Sequence, residues 1–157
     1  MIQIGVDFRG RRSKWPRSIA LARFLREFAL RSWCGQRGCL ETWISGSGLE
    51  RDYHQIYGAV RSGEDIISLM RAGDANATLG RYLDRLGRGL ATVCNIIEPD
   101  VIVLGGGLSN VPEIYIALPA IIGSYVFSDS WSAKIAPARW GDSSGVRGAA
   151  RLLAAQI

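Results

Sequence analysis

Eleven residues constrain this chain more than any others: Asp100-Val101-Ile102-Val103-Leu104-Gly105-Gly106-Gly107-Leu108-Ser109-Asn110. Four apolar residues, mostly β-branched, predict a short strand buried on both faces, as inside a parallel sheet. The three glycines let the backbone turn at once and approach a ligand with no Cβ in the way. Ser109 or Asn110 then suits the N-cap of a new helix, with Pro112 and Glu113 in its first turn. A strand, a glycine turn and a helix start form a cradle for phosphate or nucleotide, because backbone N–H groups and the helix dipole converge there. Three glycines also make a tight strand–helix turn with no ligand, and the local pattern leaves both readings open.

The rest of the chain predicts α/β architecture around that strand. Ile2, Ile4 and Val6 alternate in an N-terminal strand ending at Asp7, and residues 18–30 have the apolar spacing of an amphipathic helix. A short helix is expected over 64–71, closed by Gly73. Asp74 is then placed to cap a long helix whose apolar positions run from Leu79 to Ile97, with Pro99 as its stop. Residues 111–126 read as helical with a kink or restart at Pro119. A further strand is expected at 132–135, then a polar loop at 141–145 opening a helix over 146–155. That loop is a second candidate anion contact.

At 157 residues the chain has room for one domain with a real core. No apolar run approaches the ~20 residues of a membrane span, and no signal peptide is visible. Three cysteines argue against a disulfide framework and for a reducing, cytoplasmic setting. The charge is uneven: residues 1–37 carry nine Arg and Lys against Asp7 and Glu27, while the remainder carries ten against twelve. A basic arm of this kind suits an anionic surface or nucleic acid. Neither stacking aromatics nor a recognition motif accompanies it, and residues 16–31 offer one helix where a helix-turn-helix needs two, so nucleic acid is not expected as a partner.

Three stretches, in order, resemble the ROK sugar kinases: Cys34-Gly35-Gln36-Arg37-Gly38-Cys39-Leu40-Glu41, Pro99 to Gly107, and Gly141-Asp142-Ser143-Ser144-Gly145-Val146-Arg147-Gly148-Ala149. Glu41-Thr42-Trp43-Ile44-Ser45-Gly46 and Gly141 to Gly145 look most like the fructokinase (mannokinase) branch. The resemblance runs from Cys34 to about Leu153, and Met1 to Gly10 also looks like the family's start. It implies the C-terminal lobe of an actin-like, ribonuclease-H-like ATPase fold, with an incomplete sheet and several helices. In such kinases two lobes close on ATP, magnesium and a sugar. It also implies that Gly105, Gly106 and Gly107 lie along the nucleotide, with Asp7 and Gly10 in the phosphate loop. Glu41 would accept hydrogen bonds from sugar hydroxyls, a role that suits a carboxylate with two oxygens in fixed orientation. Cys34 and Cys39 look like half of the family's zinc knuckle.

The departures matter as much. The family's phosphate loop reads Asp-x-Gly-Gly-Thr, whereas here Arg9 follows Phe8 and puts a bulky side chain where a phosphate should come close. Ser32 stands where the knuckle has its first cysteine, and the knuckle's histidine has no counterpart. Most of the N-terminal lobe should lie between Gly10 and Cys34, including the aspartate that takes the sugar hydroxyl's proton. Asp74-Ala75-Asn76 looks like that motif but falls where the family has only a helix cap. The expected organisation is a remnant N-terminal strand and basic segment at 1–33, then a kinase C-terminal lobe at 34–157. An internal deletion with a shifted frame would produce such a chain. The functional expectation is an ATP-dependent hexose kinase of fructokinase type or an inactive truncated form. The alternative is a non-catalytic nucleotide- or sugar-binding module, or a remnant that only associates. Apolar surface left open on the sheet carrying Val101 and Val103 predicts a homo-oligomer.

Overall fold

A computed structural model describes residues 3–7, 31, 32, 34–129, 131–143 and 147. Strand β1 (Gln3–Asp7) is followed by helices α1 (Glu41–Ile44), α2 (Gly46–Tyr57), α3 (Gly63–Arg71) and α4 (Asn76–Ile97). Strand β2 (Val101–Gly105), helix α5 (Pro112–Gly123) and strand β3 (Lys134–Pro137) complete the order, with short 3-10 turns at Gly107–Asn110 and Gly141–Ser143. The helix expected over 18–30 lies outside the described residues, as does that over 146–155 apart from Arg147.

The sheet has the order β1-β2-β3. It is mixed: β2 pairs parallel with β3 but antiparallel with β1, in the register Gln3 to Gly105 and Asp7 to Val101. The parallel-sheet expectation is thereby corrected on one edge. Burial on both faces is also corrected, since Ile102 and Leu104 are fully buried while Val101 and Val103 are only half-buried. The period of two survives because one face of β2 meets the core and the other is partly open. Strand β3 begins two residues later than the apolar pattern suggests.

Helix α4 is the centre of the packing. Tyr82, Leu86 and Leu90 recur at helical spacing and are almost completely buried, each apolar side chain contributing about 1.5–3 kcal/mol on leaving water. The Tyr82 hydroxyl donates to the Ile44 carbonyl at 3.1 Å, tying α4 to the end of α1; burial pushes its phenol well above the ordinary value. Against α4 lies α5, whose Ile114, Leu118 and Ile122 form a buried stripe. Gly87 is the contact point between the two helices, for a Cβ there would overlap the Ile121 side chain.

Two helix ends differ from expectation. Asp74 does not cap α4: Ala75 occupies the N-cap with no side-chain bond, and the Asp74 N–H donates to the Leu69 carbonyl at 2.9 Å. The α3–α4 connection is too tight for the aspartate to fold over the first turn. Likewise Ser109 and Asn110 lie in a 3-10 turn and Val111 precedes α5, whose first turn is favoured by Pro112. Helix α5 runs through Pro119 without restarting.

A buried charge cluster fixes α2 on α4. Asp52 is buried and accepts from Arg81 Nε at 2.9 Å and from Arg85 Nη1 at 2.7 Å. The Arg85 guanidinium also covers the Trp43 ring, 4.5 Å from its centroid. Removing one member of a buried pair leaves its partners without compensation, at a cost of roughly 3–5 kcal/mol. The arginines keep 33% and 18% of their side-chain exposure, so water recovers part of that. Asp52→Ala should therefore lower the unfolding free energy by about 2–3 kcal/mol, read as a lower urea midpoint at unchanged slope. A midpoint within error of the parent would show that the cluster contributes nothing net.

Candidate functional site

The glycine turn leaves the carboxyl end of β2. Gly106 has φ 91° and ψ 174°, a conformation open essentially to glycine alone. Its carbonyl accepts from Ser109 Oγ at 2.6 Å and from Ser109 N at 3.0 Å. The Ser109 carbonyl in turn accepts from the Tyr115 hydroxyl of α5 at 2.7 Å. A chain of hydrogen bonds thus runs from α5 through the turn to Gly106. Gly107 faces open space, with nothing within 4 Å of the position a Cβ would take.

That space belongs to a cleft of about 550 Å³ between the turn and α3, lined by Gly63, Ser68, Arg71, Gly107, Leu108 and Asn110 among others. The α3 wall is firmly built. Ser62 and Asp65 form a reciprocal capping box, and the Gly63 N–H donates to Glu50 Oε1 at 2.9 Å. Arg71 donates twice to Glu113, Nε to Oε1 at 2.7 Å and Nη2 to Oε2 at 3.1 Å, closing one end of the wall onto α5. The pair holds the Glu113 carboxyl below the usual range and raises the guanidinium further. Sequence reasoning had not placed Ser62, Gly63 or Arg71 at the site. The Ser62-x-x-Asp65 spacing was the available signal, for it marks a helix N-terminus ahead of an apolar run.

The loop at 141–143 packs beside the turn. Gly141 has φ 52°, and a Cβ there would stand 2.9 Å from Asn110 Oδ1. Two of the three motif stretches therefore meet at one place. The other expected residues are placed differently. Asp7 pairs with Val101, at the opposite end of β2 from the glycines, about 13 Å away at ~3.3 Å per residue; Gly10 lies outside the described residues. Glu41 heads α1, half-buried, and is not part of the cleft's lining.

Cys34 and Cys39 do come together, their sulfurs 3.6 Å apart. Two sulfurs on one tetrahedral zinc stand about 3.8 Å apart at ~2.3 Å per bond, so the pair fits half a site. The other half is not supplied. Cys94 is buried in α4, His54 belongs to α2, and no cluster of three His, Cys, Asp or Glu side chains forms among the described residues. The donor set does not fit zinc, and metal analysis of the purified chain should give well under one zinc per chain. One tightly held zinc would overturn that. The Cys34 thiol is held below its ordinary value, chiefly by the Gln36 backbone and then by the Ser32 and Cys39 side chains.

No helix among the described residues is long and apolar enough to cross a membrane. Comparison with known proteins identifies the fold. An N-acetyl-D-glucosamine kinase of Pectobacterium carotovorum is 41% identical over 121 residues, covering 76% of this chain and 40% of that protein. The ROK hexokinase of Thermus thermophilus superposes with a TM-score of 0.66 at 31% identity, over 82% of this chain and 45% of that one. A ROK family glucokinase from Streptomyces griseus, solved with glucose and AMPPNP, gives a TM-score of 0.72 at 24% identity, over 80% of this chain and 47% of that one. The chain thus spans under half the length of these relatives, and shares the actin-like, ribonuclease-H-like fold of ROK sugar kinases. The ROK family's own sequence pattern matches residues 24–156, beginning ahead of Cys34. By that match over most of its length, the chain belongs to the ROK family.

Proposed function

We propose that this chain carries the nucleotide-facing part of an ATP-dependent hexose kinase. The observation that supports it is the turn in which Gly106, held in a glycine-only conformation, delivers Gly107 to the wall of the cleft. In open α/β sheets ligands sit at the carboxyl ends of strands, where this turn lies. When bound, ATP supplies the phosphoryl group. The chain's own part is to seat it: Gly105 and Gly106 bring the backbone out of β2, Gly107 leaves room for the phosphates at the cleft wall, and Leu108 offers an apolar surface beside it. Magnesium would arrive with the phosphates, since such ions are usually held by one or two carboxylates plus phosphate oxygens rather than by a protein cage. Glu41, at the head of α1 and outside that cleft's lining, would orient the sugar by accepting hydrogen bonds from its hydroxyls.

Two sugar classes compete. The stretches from Glu41 to Gly46 and from Gly141 to Gly145 favour a fructokinase type, while a relative at 41% identity is named for N-acetylglucosamine. Saturation-transfer NMR on the purified chain with fructose, mannose, glucose and N-acetylglucosamine, each with and without ADP, tests both readings. The expected outcome is nucleotide binding with preference for fructose. Preference for N-acetylglucosamine would move the substrate, and absence of any nucleotide signal would remove the kinase reading from this chain.

A further inference from the structure

The thiols of Cys34 and Cys39 stand 3.6 Å apart, and among the described residues no third metal-binding side chain joins them. The loop between them is shaped to keep them there. Gly35 and Gly38, the neighbours of the two cysteines, both take positive φ, 80° and 76°. Ser32 N donates to the Gln36 carbonyl at 2.8 Å and Gly35 N to the Ser32 carbonyl at 2.9 Å, while Arg31 and Arg37 form an antiparallel bridge across the loop. Cys34 is exposed and Cys39 half-buried behind it. A thiol open to solvent with a second thiol in van der Waals contact is the arrangement that thiol–disulfide exchange needs, one sulfur to attack and one to resolve.

We propose that Cys34 and Cys39 are a dithiol modification site, converted to an intrachain disulfide by a low-molecular-weight disulfide of the glutathione class. Cys34 as thiolate attacks one sulfur of the small disulfide; its S–S bond breaks and the first half leaves as a thiol after taking a proton. Cys39 then attacks the Cys34 sulfur of the mixed disulfide and releases the second half. Two cysteine thiols are oxidised by two electrons, and one small disulfide is reduced to two thiols. The sulfurs must approach from 3.6 Å to about 2.05 Å for the bond to form. The Cys39 carbonyl accepts from Thr42 N at 3.1 Å, so the disulfide would close a ring at the entry to α1, just ahead of Glu41.

The test is intact-mass spectrometry of the full chain after incubation with excess oxidised glutathione. The expected result is a loss of two hydrogens, with non-reducing peptide mapping that joins Cys34 to Cys39 and leaves Cys94, buried in α4, as a free thiol. Cys39→Ser should instead accumulate one glutathione on Cys34, because the resolving thiol is gone. Cys34→Ser should react far more slowly, since the remaining thiol is less exposed. Wild-type protein that retains a stable glutathione adduct to the same extent as Cys39→Ser would overturn the proposal. So would thiols that resist oxidation in the native chain and react at once after unfolding.

Discussion

The purified chain, given ATP, magnesium and fructose, should turn over at least about a hundredfold more slowly than the roughly 1–100 per second of ordinary kinases. A positioned general base is worth about 10²–10⁴-fold, and phosphoryl transfer also depends on holding donor and acceptor in line. The residue that resembles the family's base is Asp74, yet it lies in the exposed turn between α3 and α4, its N–H bonded back to Leu69, and outside the cleft's lining. Asp74→Asn should therefore leave any residual rate unchanged. A coupled assay following ADP release decides the matter. A rate of full kinase magnitude that disappears in Asp74→Asn would make that aspartate catalytic and overturn the assignment of the cleft.

Gly106→Val should abolish nucleotide binding by calorimetry. With φ 91° and ψ 174°, the position costs a side-chain-bearing residue about 1–3 kcal/mol, more for a β-branched one. Relief of that strain would swing the turn and break the bonds from Ser109 to the Gly106 carbonyl. The companion Gly107→Ala separates space from strain, because its Cβ would enter the open cleft and touch nothing in the protein. Gly107→Ala should keep the parent's thermal midpoint and still weaken binding by narrowing the cleft. Equal binding by Gly106→Val would place the nucleotide elsewhere.

How far the sequence could be read depended on whether a residue's role was local. The β2 strand, the glycine turn and the long helix α4 are written in periodicity and punctuation, and all three stand where those signals place them, β2 ending at Gly105 and α4 running to Ile97. Helix α2 was not visible, because Gly46-Ser47-Gly48 has the composition of a turn. Its glycine serves packing instead: a Cβ on Gly48 would lie 2.7 Å from the Thr42 carbonyl oxygen, and Ser45 caps the helix by accepting from Gly48 N. The antiparallel edge made by β1 was equally hidden, for strand direction within a sheet is set by the path of the intervening chain. In the candidate cleft, Gly107 is the residue whose position was legible from type and order alone. Arg71 and Ser62 were not, since each has an ordinary reading on α3, a last-turn base and a cap, and becomes part of a cleft only when α3 folds opposite the turn. The juxtaposition of Cys34 and Cys39 is a local matter of two glycines with positive φ, and was within reach of the sequence.

The hydrogen-bond relay from Tyr115 through Ser109 to Gly106 has a thermodynamic consequence. A glycine-rich loop that is free in solution must be ordered when ligand arrives, which diminishes affinity through lost backbone entropy. Here the turn is already fastened to α5 by the Tyr115 hydroxyl before anything binds. Association should then behave as entry into a preformed slot: a single-exponential on-rate linear in nucleotide concentration, with no plateau from loop closure. Tyr115→Phe unfastens the turn while keeping the ring, so it should slow binding and make its entropy more unfavourable, leaving the contacts of the bound state in place.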